Sequence, residues 1–134
     1  SMLTRWIEQG LTGVLRENGV GCIAFAPLQN GILTGKYLRG VPEDSRAARD
    51  PRYLKPDRIS DAMLSKVARL KPIADARGAT LSQLALKWVL RDEVVTSALI
   101  GASRPEQIRE NVQIVQMPKL APEELAAIEE ALKD

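Results

Sequence analysis

The chain has 134 residues, enough for one domain of ordinary size and too few for a complete (β/α)₈ barrel, which takes roughly 250. Its 45% hydrophobic and 27% charged residues are the composition of a globular protein, neither fibrous nor disordered. Nineteen basic against seventeen acidic residues leave a formal charge of +2, too even to call for nucleic acid or a membrane surface as the main partner. With no histidine, Ser-His and Cys-His catalysis and His-based zinc sites cannot be built from these residues. Cys22 is the lone cysteine, which excludes an internal disulfide; within Cys22-Ile23-Ala24-Phe25 it reads as a buried, inert thiol. Nothing reads as a signal peptide, and no apolar run approaches the ~20 residues that span a bilayer, so a reducing cytoplasm is the expected location.

From Leu3 to Arg16 apolar residues recur at Leu3, Trp6, Ile7, Leu11, Val14 and Leu15, one stripe of a helix that Asn18-Gly19 should stop. Gly21 to Ala26 is short, apolar and uncharged, and Pro27 closes it, which predicts a buried parallel strand. Between Leu28 and Ser60 the pattern dissolves into glycines, prolines and scattered charges. A loop of that length in a compact domain is expected to act as a lid or binding loop, against the plainer alternative of a solvated excursion. Helical spacing returns at Met63, Leu64, Val67, Leu70 and Ile73, with Pro72 expected to kink or restart the helix near Leu70 and Arg77-Gly78 to end it. Thr80-Leu81-Ser82-Gln83 fits a capping box, and the helix it opens should bury Leu81, Leu84, Ala85, Trp88 and Val89. Val94 to Ile100 predicts a second strand. Ser103-Arg104-Pro105-Glu106 reads as another capping box, on a helix that carries Ile108, Val112 and Val115 inward. A last helix from about Pro122 puts Leu125, Ile128 and Leu132 on one side.

Strands alternating with helices imply parallel βαβ units, an α/β fold. Two strands close no barrel, so their edges need something further to pair with. In such folds ligands lie beyond the carboxyl ends of the strands. After the second strand, Gly101-Ala102-Ser103-Arg104 leads into a helix N-terminus, where amides, dipole, hydroxyl and guanidinium suit a phosphate. The competing reading is that Ser103 caps its helix and Arg104 is solvated. After the first strand, Ala26 to Lys36 is rich in turn residues; it matches no Walker pattern, and no G-x-G-x-x-G follows either strand.

Four blocks in order resemble one family: Gly21-Cys22-Ile23-Ala24-Phe25-Ala26-Pro27-Leu28, Gly31-Ile32-Leu33-Thr34-Gly35-Lys36-Tyr37, Pro42-Glu43-Asp44-Ser45-Arg46, and Ile100 to Gln107 continuing to Glu110-Asn111. They are similar to the carboxy-terminal portion of the aldo-keto reductases, most closely the branch of the potassium-channel β subunits and the bacterial glyceraldehyde-phosphate and methylglyoxal reductases. The resemblance covers essentially the whole chain, residues 1–134, as part of one barrel domain with a long cofactor loop at about 28–60. It implies a partial (β/α)₈ TIM barrel: the last two β/α units, a preceding helix and a carboxy-terminal helix. It also implies NADP(H) as cofactor and reduction of small aldehydes or ketones by hydride transfer. By resemblance, Ala26, Pro27, Leu28, Gly31 and Leu33 line the pyrophosphate, Lys36 lies near its phosphates and Arg46 reaches over it. Gly101, Ser103, Arg104, Gln107, Glu110 and Asn111 hold the 2′-phosphate and adenine. Position 26 is Ala where the family carries a hydroxyl residue.

The family's Asp, Tyr, Lys and His catalytic groups come from the first half of the barrel, and none is assigned here; Tyr37 and Tyr53 are loop residues, not the general acid. The chain alone is therefore expected to be inactive, with the other barrel part or self-association supplying its missing contacts. The alternatives are a non-catalytic docking and redox-sensing module, as in the channel β subunits, and a self-associating half-barrel.

Overall fold

The computed structural model describes residues 1–49 and 54–134, with Arg46 and Pro56 described by their backbone. Two strands, β1 (Cys22–Phe25) and β2 (Val95–Leu99), pair in parallel with Cys22 beside Val95 and Phe25 beside Leu99. Gly21 enters the sheet so close to its neighbour that a Cβ would lie 2.6 Å from Thr96 Cγ2, which leaves no space for a side chain there. The expected α/β pattern is present, but the strands are not buried on both faces. Cys22 and Ala24 lean on the core while Ile23 and Phe25 are exposed. No described element covers that second face, so alternation replaces the uniform burial that a strand with helices on both sides would have.

The amino-terminal helix is shorter than its apolar stripe predicts. A 3₁₀ turn at Trp6–Glu8 precedes α1 (Leu11–Glu17), and Gly10 between them has φ +113°. A residue in that region breaks the helical hydrogen-bond ladder, and glycine adopts it without a side-chain clash.

The described part of the segment from 28 to 60 sends several side chains into the core while much of the rest is exposed. A 3₁₀ stretch at Gln29–Thr34 buries Ile32 and Leu33; Tyr37 is 1% exposed, and Ser45, Ala47 and Leu54 are buried beyond it. A short helix, α2 (Arg46–Arg49), and a 3₁₀ turn at Pro56–Arg58 complete the described part. Tyr37 is thus a core residue reached through irregular backbone, where periodicity carries no signal. Tyr53 lies outside the described residues.

α3 (Asp61–Ala76) opens on Ser60, whose Oγ accepts from the Met63 amide at 3.2 Å, and runs unbroken through Pro72. The expected restart at Leu70 does not occur. Val67 and Leu70 before the proline and Ala74 after it are all buried, so packing on both sides outweighs the one hydrogen bond a proline forfeits. α4 (Leu81–Val89) has the predicted capping box and buries each of the five predicted residues.

α5 (Pro105–Val112) corrects two expectations. Its N-cap is Arg104, one residue later than the Ser103 frame, because Gln107 rather than Glu106 closes the turn: Gln107 Oε1 accepts from the amides of Ser103 at 2.8 Å and Arg104 at 3.3 Å. Ile108, Val112 and Val115 are exposed, not inward, and the buried residues are Asn111 and Ile114. Polar bonds to α4 orient the helix, and the apolar stripe is left facing outward. α6 (Pro122–Ala131) buries Ile128 and Ala131 against α3, where Arg69 Nε donates to the Ala131 carbonyl at 2.9 Å. Among the described residues, no helix is long and apolar enough to cross a membrane.

Candidate functional site

Because β1 and β2 are parallel neighbours, the segments that follow Phe25 and Leu99 leave the sheet at the same end. This brings the two sequence-predicted clusters, 26–36 and 101–111, to one side of the fold.

The first cluster is a tight left-handed excursion. Ala26, Gln29, Asn30 and Gly31 all have positive φ, at 49°, 48°, 54° and 95°. Three non-glycine residues in this region within five positions cost of order 1–3 kcal/mol each, and such backbone persists only where its surroundings over-determine it. Here they do. Gln29 and Gly31 donate their amides to the carbonyls of Ala26 and Leu28, each at 2.9 Å. The Gln29 side chain accepts from Ser1 Oγ at 2.6 Å and Thr4 Oγ1 at 3.2 Å, and Thr34 Oγ1 donates to the Gly31 carbonyl at 2.7 Å. Pro27 is buried and Leu28 half-buried against the core. Leu33 is wholly buried and gives its amide to the Leu28 carbonyl at 3.2 Å, so it supports the turn from beneath and offers no side chain to a ligand.

Lys36 is exposed and folds back across this turn. Its Nζ lies 5.0 Å from the Tyr37 ring centroid, and a Cβ on Gly31 would sit 3.1 Å from both Cε and Nζ. Gly31 therefore lets the ammonium lie close to the backbone of the excursion. Lys36 makes no ion pair among the described residues. The side chain of Arg46 lies outside the described residues.

The second cluster surrounds the N-terminus of α5. Gly101 is exposed, with open space where a Cβ would be. Ser103 and Arg104 are exposed, and the Arg104 guanidinium has no partner among the described residues. The amides expected to await an anion are partly occupied, since Gln107 Oε1 takes those of Ser103 and Arg104 and also accepts from Ser103 Oγ at 3.3 Å. An anion would displace this side-chain oxygen rather than fill vacant donors. Farther along α5, Glu110 Oε1 accepts from Thr80 Oγ1 at 2.8 Å, and the Glu110 carbonyl accepts from Gln83 Nε2 at 2.8 Å. Asn111 is buried. Sequence reasoning found the Thr80 capping box but missed its grip on Glu110. It also passed over Gln29 and Asn30, although Asn30-Gly31 is a pair suited to left-handed backbone.

The carboxyl groups with displaced affinities all lie outside residues 26–36 and 101–111. Burial pushes the Glu8 carboxyl up, but hydrogen bonds from Arg5 and Arg91 outweigh it and hold Glu8 below its ordinary range. Arg91 also stacks on Trp88, its guanidinium carbon 3.4 Å from the ring centroid. This group pins the 3₁₀ turn at Trp6–Glu8 to α4 and so steadies Ser1 and Thr4, which hold Gln29.

A parallel α/β unit with two adjacent post-strand turns, each carrying a cation that has no ion-pair partner among the described residues, places its exposed polar groups at the carboxyl end of the sheet, where open α/β folds hold their ligands. Comparison with known proteins makes the class specific. The model of the Aldo/keto reductase family matches residues 1–133, and the chain belongs to that family. It is 48% identical over 138 residues to L-glyceraldehyde 3-phosphate reductase of Escherichia coli O157:H7, covering 100% of this chain and 40% of the relative. It is 39% identical over 130 residues to a probable voltage-gated potassium channel subunit beta of Arabidopsis thaliana, covering 95% and 40%. Among solved structures it resembles the glycerol dehydrogenase AKR11B4 of Gluconobacter oxydans, with a TM-score of 0.77 and 29% identity over 98% of this chain and 39% of that one. The chain spans about two fifths of the length of the curated relatives it matches.

Proposed function

We propose that this chain is the NADP(H)-binding portion of an aldo-keto reductase that reduces small aldehydes or ketones, contributing the last two β/α units of a (β/α)₈ barrel. The observation that carries the reading is the placement of two cations that have no ion-pair partner among the described residues, Lys36 and Arg104, on turns that leave adjacent parallel strands at the same end. A dinucleotide phosphate is an extended polyanion with a pyrophosphate at its middle and a further phosphate on one ribose, so it calls for two separated cationic sites. The turn at 26–31 with Lys36 suits the pyrophosphate, and Arg104 with Ser103 suits the 2′-phosphate. The donor set fits: Gly101 opens the approach, and the Ser103 hydroxyl is released once Gln107 swings aside. Glu106 at the second position of α5 favours the helix dipole but repels an incoming anion, which makes the Arg104 charge indispensable to this reading.

The bound cofactor would supply the hydride for the carbonyl carbon. The residues described here would hold and orient it, and the group that protonates the carbonyl oxygen is not assigned to any of them. On the same reading, the exposed residues Ile23, Phe25 and Leu99 on the sheet, Ile108 and Val112 on α5 and Val115 just after it are seams at which the rest of a barrel packs.

The test is Arg104→Ala, measured as the dissociation constants of NADPH and NADH. A charge-assisted contact of roughly 1.5–3 kcal/mol predicts a loss of about 10- to 150-fold for NADPH and little change for NADH. Equal weakening of the two would reject the assignment of Arg104 to the 2′-phosphate.

A further inference from the structure

We propose that Thr80 and Gln83, the capping pair of α4, are positioning residues for adenine recognition: they fix the Glu110 carboxylate of α5 to receive the 6-amino group of the base. This rests on the NADP(H) reading above. Capping α4 requires two acceptors, and both are present: Thr80 Oγ1 accepts the Gln83 amide at 3.2 Å, and Gln83 Oε1 accepts the Thr80 amide at 3.0 Å. The side-chain protons are not needed for the cap. The Thr80 hydroxyl donates to Glu110 Oε1 at 2.8 Å, and Gln83 Nε2 donates to the Glu110 carbonyl at 2.8 Å and to Gln113 Oε1 at 3.3 Å. Backbone and side chain of one residue on α5 are thus held by the two residues that start α4. Gln83 is 4% exposed, so its amide is set by packing and cannot simply turn to water.

Glu110 is exposed, and without the Thr80 bond its carboxylate would sample several rotamers. With the bond, Oε1 is fixed, while Oε2 has no partner among the described residues and can accept a hydrogen bond. Adenine carries a single amino group, and a carboxylate is the acceptor that matches it. Arg104 and Glu110 are six residues apart, about 9 Å along a helix axis, comparable with the length of an adenosine phosphorylated on its ribose. Thr80 acts through Glu110 and touches no ligand.

The test separates capping from positioning. Thr80→Asp keeps a strong N-cap acceptor but has no proton to give and repels Glu110; Thr80→Ser keeps both functions. The chain and its variants are titrated calorimetrically with 2′-AMP and with inosine 2′-monophosphate, which has an oxo group in place of the amino group, and their melting temperatures are recorded. Wild type and Thr80→Ser should prefer 2′-AMP. Thr80→Asp should bind 2′-AMP roughly threefold to tenfold more weakly, the cost of immobilising one free side chain at binding, and should lose the preference while melting near the wild type. Glu110→Ala, with the α4 cap intact, should lose the same preference and shows the effect whether or not Thr80→Asp folds. An undiminished preference in either Thr80→Asp or Glu110→Ala overturns the proposal and leaves the cofactor reading standing. A wild type that binds neither nucleotide overturns the cofactor reading and the positioning role with it.

Discussion

Phe25 and Leu99 are register partners across the parallel sheet, and both stand in solvent, 75% and 61% exposed. Ile23 shares the exposed face of β1, and Ile108 and Val112 on α5 with Val115 on the 3₁₀ turn after it are further exposed apolar residues. Contiguous apolar surface of this kind marks a face that another protein surface covers. The chain on its own should therefore associate. The double substitution Phe25→Ser and Leu99→Ser should shift light scattering toward the monomer while changing stability by no more than about 0.5 kcal/mol per site, since neither side chain is packed. A monodisperse wild-type monomer would contradict the covering role of this face.

Arg77 and Glu124 tie the end of α3 to the start of α6. Arg77 Nη1 donates to both Glu124 oxygens at 2.5 Å, and Nη2 reaches the Pro118 and Lys119 carbonyls, while Glu124 Oε2 accepts from the Ala121 amide at 2.7 Å. The hydrogen bond from Arg77, then that from the Ala121 amide, holds the Glu124 carboxyl below its ordinary range. A carboxyl that binds its proton less readily when folded contributes stability in full above the unfolded value of about 4.3. That contribution disappears as pH falls through the folded value. Glu124→Gln should lower stability by about 1.5–3 kcal/mol at neutral pH and flatten the fall in melting temperature on acidification. Glu8, held low by Arg5 and Arg91, acts in the same direction and leaves a residual slope. Parallel pH profiles for the two proteins would show that the pair contributes nothing specific.

The glycines at 31 and 35 are constrained in different ways. Both have positive φ, +95° and +79°; a Cβ at Gly31 meets Lys36 at 3.1 Å, whereas one at Gly35 meets Leu81 Cδ1 at 2.7 Å. Lys36 is exposed and can move, so Gly31→Ala should cost about 1–2 kcal/mol from backbone strain and, on the proposed reading, weaken phosphate binding by displacing the ammonium. Leu81 is buried at the first turn of α4 and cannot move freely. Gly35→Ala should cost more, about 2–4 kcal/mol, from strain and overpacking together. Chemical denaturation of the two variants checks the order, and a smaller loss at Gly35 would refute the packing argument.

What the sequence made legible follows from where periodicity is the controlling signal. α4 reads correctly because its apolar spacing, capping residues and burial agree, from Thr80 through Val89. The stripe of Ile108, Val112 and Val115 is as regular, yet points outward, because α5 is oriented by Gln83 and Thr80 on Glu110 and not by apolar contact. The core residues Ile32, Leu33 and Tyr37 carry no periodic signal because they lie in or just after a 3₁₀ stretch interrupted by left-handed residues, with no fixed period. The two candidate turns were found because strand ends locate them, but the engagement of the α5 amides by Gln107 depends on a side-chain rotamer and the N-cap frame, which spacing alone left one residue early.

Pro72 offers a direct measure of how far packing overrides propensity in α3. The proline is exposed on an otherwise continuous helix of 16 residues, between the buried Leu70 and Ala74. Its ring forfeits the amide bond to the Ala68 carbonyl, and proline is about 3 kcal/mol less favourable than alanine inside a helix. Part of that difference is returned because proline also restricts the unfolded chain. Pro72→Ala should therefore stabilise the chain by about 1–3 kcal/mol, raising the urea midpoint at unchanged slope. Hydrogen exchange should show new protection at the residue-72 amide if the ladder closes there. A destabilised variant would mean instead that the proline sets the local curvature with which α3 fits α4 and α6.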